Sequence, residues 1–342
     1  MIVAFKQLSI YRQALMGIAI LYVFLFHTVT DWAPEWVYKV TSNGDNGVDI
    51  FIFLSALGLS YSMSKNGNVM EFYKRRLLRI FPTYWASITI IFLVVVIIIK
   101  YLKAPDGYLP YPHNLWEAFT AYTTIGYWIH GSLWYDWYIP AIVLLYLLFP
   151  LLFKVLQKSK VGGVLLFIAS TIITSCDLIH LEWYYACLWH RICIFILGAA
   201  SFYIIDKEIN GWTAILIMLV GTICPFIYAY SDILNTGVGV VDKLIFCLVL
   251  FCTMLCLCQI CRVKQINAIL SFMGSISLEF YLVHQQIYRM IQTVGNKVCQ
   301  MPDFIQIIFC FVTSLILAVA LQKGVNYLTS IRLQKPCNQK FQ

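Results

Sequence analysis

The chain has 342 residues, 61% hydrophobic and only 12% charged, with a mean hydropathy of +0.78 and a formal net charge of +8. A soluble domain averages nearer half apolar and a quarter charged, so this composition excludes an ordinary soluble globular protein and makes a bilayer the solvent. Inside lipid every backbone polar group needs an internal partner, which leaves helices or a closed barrel. The apolar runs are continuous over about 17–22 residues, where a barrel strand alternates over about 10. The expected fold class is all-α, a polytopic integral membrane protein.

Ten spans are predicted, at residues 14–31, 47–63, 84–102, 137–155, 161–175, 188–204, 211–229, 242–260, 267–291 and 303–322. The first follows Lys6 and Arg12, passes through His27 and has no small-residue cleavage site after it, so it reads as a retained span and not as a signal peptide. Between the second and third spans lies Phe72–Trp85, which places Lys74, Arg75, Arg76 and Arg79 within six positions. A cation cluster between two membrane-length segments is either an orientation signal or an anion site at the membrane surface. The longest loop, 103–136, is aromatic and not charged, and its Tyr101–Tyr135 stretch suits both an interfacial aromatic belt and a surface for stacking sugar rings. The fifth span is short and the ninth carries internal polar residues. The twelve cysteines lie mostly inside spans, and Cys256, Cys258 and Cys261 lack the paired spacing of a zinc site, so small apolar filler is expected and no metal. Cys176 and Cys187 flank one short loop and could pair on an oxidising side. No soluble domain is expected; 1–342 reads as a single membrane-embedded domain.

Orientation follows from the cations. With the N-terminus in the cytoplasm, seventeen of the 24 Lys and Arg fall on cytoplasmic segments and five on outer ones, with Arg191 and Arg289 at or within spans. That bias predicts both termini inside. It also accounts for the net positive charge without a nucleic-acid partner.

Ionisable residues inside spans are costly, which makes them functional candidates. His27 sits late in the first span, roughly 20 Å along the helix from its start. Asp49 begins the second span, and two antiparallel neighbours would bring it to the depth of His27, as a carboxylate that orients an imidazole base. A lone helical His is equally compatible with a hydrogen bond to a neighbouring helix. His284 and Glu279 fall in the ninth span on different faces, and Glu279 could pair with Arg191 or Arg289. Arg191 opens the sixth span, where snorkelling to the interface is the plain alternative.

Several segments together resemble the acyltransferase-3 family of integral membrane O-acyltransferases. Met16–His27 is similar to that family's first span, Gly47–Ser55 to its second, and Phe72–Trp85 to its arginine-rich motif ending in Ile-Phe-Pro. Trp137–Pro150 resembles its fourth span, and Arg191–Gly198 and Ser277–His284 its later, weaker motifs. The likeness runs from about residue 10 to residue 290 in the family's order, which is where a catalytic core is expected. By that resemblance His27 matches the essential first-span histidine, and Arg76 with Arg79 matches an Arg-x-x-Arg motif. The family often has an arginine with ten residues between it and the histidine, and that position is Met16 here. Arg12 lies one turn below Met16 and about 60° from the His27 face, and is expected to substitute for it. Where the family's second span reads Ser-Gly, this chain has Ser55-Ala56.

The resemblance implies acyl transfer, with acyl-CoA (acetyl-CoA most of all) as co-substrate and no bound cofactor. Arg75, Arg76, Arg79 and Arg12 would hold the donor, and His27 oriented by Asp49 would be the base. The implied acceptor is a hydroxyl of a cell-surface or lipid-linked carbohydrate, reached from a bacterial cytoplasmic membrane and its lipid. A proton-coupled transporter or exporter of a glycan or small metabolite is the alternative class, since buried His, Asp and Glu suit it too. No inverted repeat or matching pair of broken helices supports it. A non-catalytic membrane assembly partner is a third class, in which neither His27 nor Arg79 matters beyond stability.

Overall fold

Apolar runs and lipid solvent leave the backbone one economical solution, and the computed structural model is helical almost throughout. It describes residues 2–29, 32–102, 111–131, 137–175, 182–231, 236, 238–294 and 301–334. In chain order the elements are β1 (Ile2–Ala4), α1 (Gln7–Ile10), α2 (Arg12–Thr28), α3 (Glu35–Thr41), α4 (Asn46–Lys65), α5 (Val69–Leu102), α6 (Leu115–Tyr122), α7 (Ile125–His130) and α8 (Tyr138–Lys158). There follow α9 (Lys160–Ser175), α10 (Trp183–Trp189), α11 (Ile192–Ser201), β2 (Glu208–Asn210), α12 (Gly211–Tyr230), α13 (Gly239–Ile260), α14 (Lys264–Ser275), α15 (Ser277–Val294) and α16 (Asp303–Gln334).

Among the described residues seven helices are long and apolar enough to cross a membrane, and an eighth if the broken pair α14–α15 counts as one span. The fold is therefore a multi-pass helical one, but a count of ten is not what these helices give. The shortfall has a physical cause at both short spans. Helix α2 has 17 residues and α9 has 16, about 25 Å each at the α-helical rise, against a hydrocarbon core of about 30 Å. The predicted ninth span breaks at Ile276, between α14 and α15. The predicted sixth carries a joint at His190 and Arg191 between α10 and α11, yet is still one of the seven, over Tyr185–Ile204.

Helix α5 departs the other way. It has 34 residues and begins at Val69, well before the predicted start of the third span at residue 84. The helix runs unbroken from Val69 through Pro82. Its first turn is secured by the Asn68 side chain, which accepts from the Glu71 N–H at 3.1 Å, and Glu71 pairs with Arg75 one turn on at 2.9 Å. At about 51 Å it exceeds the bilayer core by about 20 Å. The cation cluster is thus the opening of a membrane helix, not a loop before it.

The chain divides into two compact units. The first comprises Met1–Arg76 and Thr124–Ser277. Its centre is the α2–α4 pair, with α14 packed along α2, and α11 and α8 along α4. Helices α2 and α14 touch backbone to backbone. A Cβ on Gly17 would overlap the Leu270 carbonyl, and one on Gly274 the Gln13 carbonyl, the small-residue contact by which membrane helices gain packing that lipid does not drive. Helix α4 is the most enclosed element, buried over nearly its whole length. An antiparallel pairing of β1 with β2, Ile2 opposite Asn210, ties the N-terminus to the start of α12.

The second unit comprises Leu77–Thr123 and Leu278–Gln342. Here α6 is pinned to α5 by the Tyr84 hydroxyl donating to the Ala121 carbonyl and the Trp85 indole N–H donating to the Tyr122 carbonyl, each at 2.9 Å. Part of the aromatic loop is therefore a short helix held against a span. Helix α15 meets α16 where the Cys310 thiol approaches the His284 carbonyl at 3.5 Å. Pro105 and Pro110 of that loop, and Cys176 of the suggested Cys176–Cys187 pair, lie outside the described residues.

Candidate active site

Helix α2 carries His27 in its last turn, half-buried, its ring edge-on to Phe26 at 5.1 Å between centroids. Two contacts define which way it faces. Gly17, on the α14 side, is about 80° around the helix from His27, and Val23, on the α4 side, is about 40° the other way. On the helical wheel His27 falls between the directions of the α14 and α4 contacts, and Met16 lies below it on the same face. Because glycine contacts fix α2 on both flanks, the imidazole is presented by a rigid element.

Arg12 opens the same helix and is turned toward α4. Its Nε donates to the Leu54 carbonyl at 3.1 Å, and its guanidinium occupies the place where a Cβ on Gly58 would sit, 2.9 Å from Cζ. Arg12 is thus built into the α2–α4 contact one turn below Met16. About 22 Å of helix separates it from His27.

The position of Asp49 differs from the sequence expectation. Gly44 meets Tyr22 and Phe26, Gly47 meets Ala19 and Val23, and Gly58 meets Arg12, so α4 runs antiparallel to α2. The register places Asp49 level with about Ala19, some 12 Å along the axis from His27. Asp49 also lies about 160° around α4 from Gly47, the residue that meets α2. Both depth and direction therefore take its carboxylate away from the imidazole.

What Asp49 meets is Arg191. The Arg191 Nε lies 3.0 Å from Asp49 Oδ1 as an ion pair, Nη2 reaches Asp45 Oδ2 at 3.3 Å, and Nη1 donates to the Cys187 carbonyl at 3.0 Å. The guanidinium also stacks on Trp137, 5.0 Å from the ring centroid. Arg191 sits at the joint between α10 and α11, where the interrupted helix leaves carbonyls to be satisfied. It does not snorkel, and the carboxylates it pairs with are Asp45 and Asp49. It joins α4, α8 and α10 through a buried ion pair, and both Asp49 and Arg191 are less than a tenth exposed. Asp45 and Trp137 are the residues that sequence reasoning did not single out. The signal for Asp45 is its spacing, one turn before Asp49 and therefore on the same helix face.

The cluster on α5 offers three guanidiniums on one arc. With a rotation of about 100° per residue, Arg79 falls between Arg75 and Arg76 in angle and one turn further along. Arg75 and Arg79 are exposed, whereas Arg76 is half-buried with its guanidinium over Phe72 at 5.6 Å. The first turns of α5 are held to α8 by Phe72 stacked on Phe149 at 5.7 Å and by the Tyr73 hydroxyl donating to the Leu147 carbonyl at 2.8 Å. The array is exposed to an arriving anion yet rests on a fixed base.

His284 and Glu279 lie on α15 and are buried. His284 Nδ1 is 3.0 Å from the Phe280 carbonyl and 2.9 Å from the Tyr281 carbonyl. A carbonyl only accepts, so Nδ1 carries the proton and, in the neutral ring, Nε2 holds the lone pair. Glu279 occupies the first turn of α15, where the helix N-terminus favours a carboxylate.

A family model described as an acyltransferase domain, that of the acyltransferase-3 family, matches residues 13–323. The match takes in α2 through most of α16, including His27, Arg76, Arg79, Arg191 and His284. No curated protein and no solved structure matches the chain significantly.

Proposed function

The chain belongs to the acyltransferase-3 family, a family of membrane acyltransferases, and from that premise we propose that it moves an acyl group, acetyl in the first instance, from acyl-CoA to a hydroxyl of a cell-surface or lipid-linked carbohydrate. The observation that carries the proposal is the family match over residues 13–323, which takes in both a guanidinium cluster at the opening of one membrane helix and a histidine held on another. Acyl-CoA is a multiply charged phosphate head joined to a thioester by a thin arm on the order of 15–20 Å long, comparable to the ~20 Å of helix rise between α2's start and His27. Planar guanidiniums at Arg75, Arg76 and Arg79 suit the phosphates by bidentate bonding. Arg12, at the start of α2, adds a further fixed charge on the side of the donor.

His27 is the general base. It takes the proton of the acceptor hydroxyl as that oxygen attacks the thioester carbonyl. The tetrahedral intermediate collapses, the carbon–sulfur bond breaks, and the proton passes from the imidazolium to the departing thiolate, leaving an ester and free CoA. Asp49 contributes through Arg191, by fixing the start of α4, and not by contact with the base. The site lies in a multi-pass membrane protein, which we place in the bacterial cytoplasmic membrane with both termini inside.

Purified protein given acetyl-CoA and candidate glycans is expected to release free CoA only when an acceptor is present. Uptake or efflux of a glycan by proteoliposomes lacking CoA would instead favour the transporter reading and overturn this one.

A further inference from the structure

We propose that the second unit holds a hydrocarbon chain of a bilayer lipid in a dedicated slot between α5, α15 and α16. The slot is a cavity of about 330 Å³, roughly twice the ~150 Å³ apolar cavity that stays dry and takes up benzene. Its walls are helical stripes. Helix α5 supplies Ile90, Val94 and Ile98, and α16 supplies Phe309, Thr313 and Leu317, each set spaced by one turn so that the side chains stand one above another. Ile291 of α15 closes the third side. The stripe from Ile90 to Ile98 makes the slot about 12 Å long.

The chemistry of the walls selects the occupant. Among the described residues Thr313 is the only lining residue with a polar side chain, and no charged group lines the cavity. A phosphate, a nucleotide or a sugar would lose its hydration there and gain no partner. Water would find too few partners to fill it. An aliphatic chain loses nothing on entry and gains dispersion contacts with close-packed branched side chains.

The mouth selects the source. Val94 and Phe309 at its rim are 37% and 55% exposed in the complete chain, and exposed Ile97, Val312 and Ile316 continue the apolar surface beyond it. Both helices are membrane-spanning candidates, so the phase outside the mouth is lipid. A tail can enter sideways while its head group stays at the membrane surface. The proposal stands apart from the acyl-transfer reading: it concerns neither the arginine array nor His27.

The test uses the full protein in vesicles of phosphatidylethanolamine and phosphatidylglycerol carrying a trace of phosphatidylcholine with a diazirine in one acyl tail. After irradiation, adducts should concentrate on lining residues of α5, α15 and α16. Filling the slot by Val94→Trp at the mouth or Leu317→Trp at the other end of the α16 stripe should cut those adducts by about tenfold, leaving labelling of exposed α12 residues such as Leu216 and Ile223 unchanged. In the wild type, adducts spread evenly over α12 and the slot would overturn the proposal, whatever the variants do. So would slot labelling that persists in a folded variant. Displacement of the label by palmitoyl-CoA but not by acetyl-CoA would also overturn it, by assigning the slot to the acyl chain of the donor.

Discussion

Two arginines meet α4 from opposite sides, and they are held in different ways. Arg191 is surrounded: two carboxylates, a backbone carbonyl and an indole face engage all three guanidinium nitrogens and one flat face. Arg12 is seated by shape. Its Nε donates to the Leu54 carbonyl and its guanidinium fills the hollow over Gly58, with the side chain half-buried. A buried cation with matched carboxylates is a structural post, because its charge is already compensated. The Arg12 guanidinium is positioned by its bond to α4 and by packing over Gly58, and its place at the start of α2 sets it on the side proposed for the donor. The contrast divides α4 into a carboxylate side that builds the protein and an α2 side along which donor and base would be arranged.

The largest expected effect comes from breaking the post. Arg191→Ala leaves Asp49 buried without its partner and should cost about 3–5 kcal/mol, read as a drop in thermal stability in detergent. Double replacement, Arg191→Met with Asp49→Leu, should recover much of that loss, and failure to recover would mean that Arg191 does more than neutralise Asp49. Next is the α2–α14 contact. Gly17→Val puts a side chain where the Leu270 carbonyl lies and should cost about 1–3 kcal/mol, with turnover falling as α2 shifts. If Gly17→Val were as stable and active as the parent, the backbone contact that positions His27 would be refuted.

On the donor side, Arg76→Lys keeps the charge but loses the planar fork. The KM for acyl-CoA should rise about tenfold with little change in kcat. An unchanged KM would reduce the cluster to an orientation signal, which counts charge alone. The smallest effect should be that of Gly58→Ala. The new Cβ meets the Arg12 guanidinium at 2.9 Å, the movable end of a long side chain, so a cost of about 1 kcal/mol is expected. If Arg12 serves the donor, Gly58→Ala should change the KM for acyl-CoA more than it changes stability. A loss of stability with an unaltered KM would confine Arg12 to helix packing.

Much of the architecture is legible because hydropathy reports where lipid must be. The helical character of the predicted spans and the position of the arginine cluster follow from runs of apolar residues and from Lys and Arg alone. Hydropathy is silent about helix continuity through polar sequence, so it does not reveal the start of α5 at Val69, although Asn68, Glu71 and Arg75 carry an N-cap and a one-turn ion pair. It is silent as well about breaks such as Ile276, where no proline or charge announces the end of α14. The partner of Asp49 is illegible for a different reason. Asp49 and Arg191 are 142 positions apart, and a carboxylate near a histidine in depth says nothing about which face of its helix it occupies. The helical arithmetic that places Met16 beneath His27 extends to Asp49 only with the α2–α4 register, and that register is written in Gly44, Gly47 and Gly58.

The division of α4 is tested most directly by acceptor-dependent CoA release from His27→Ala and Asp49→Asn, each normalised to folded protein by its melting curve. His27→Ala should melt like the parent and lose about 10²–10⁴-fold in turnover, whereas Asp49→Asn should melt earlier but keep its turnover per folded molecule. An Asp49→Asn protein of parental stability with turnover as low as that of His27→Ala would contradict that division, and would return the carboxylate to the base.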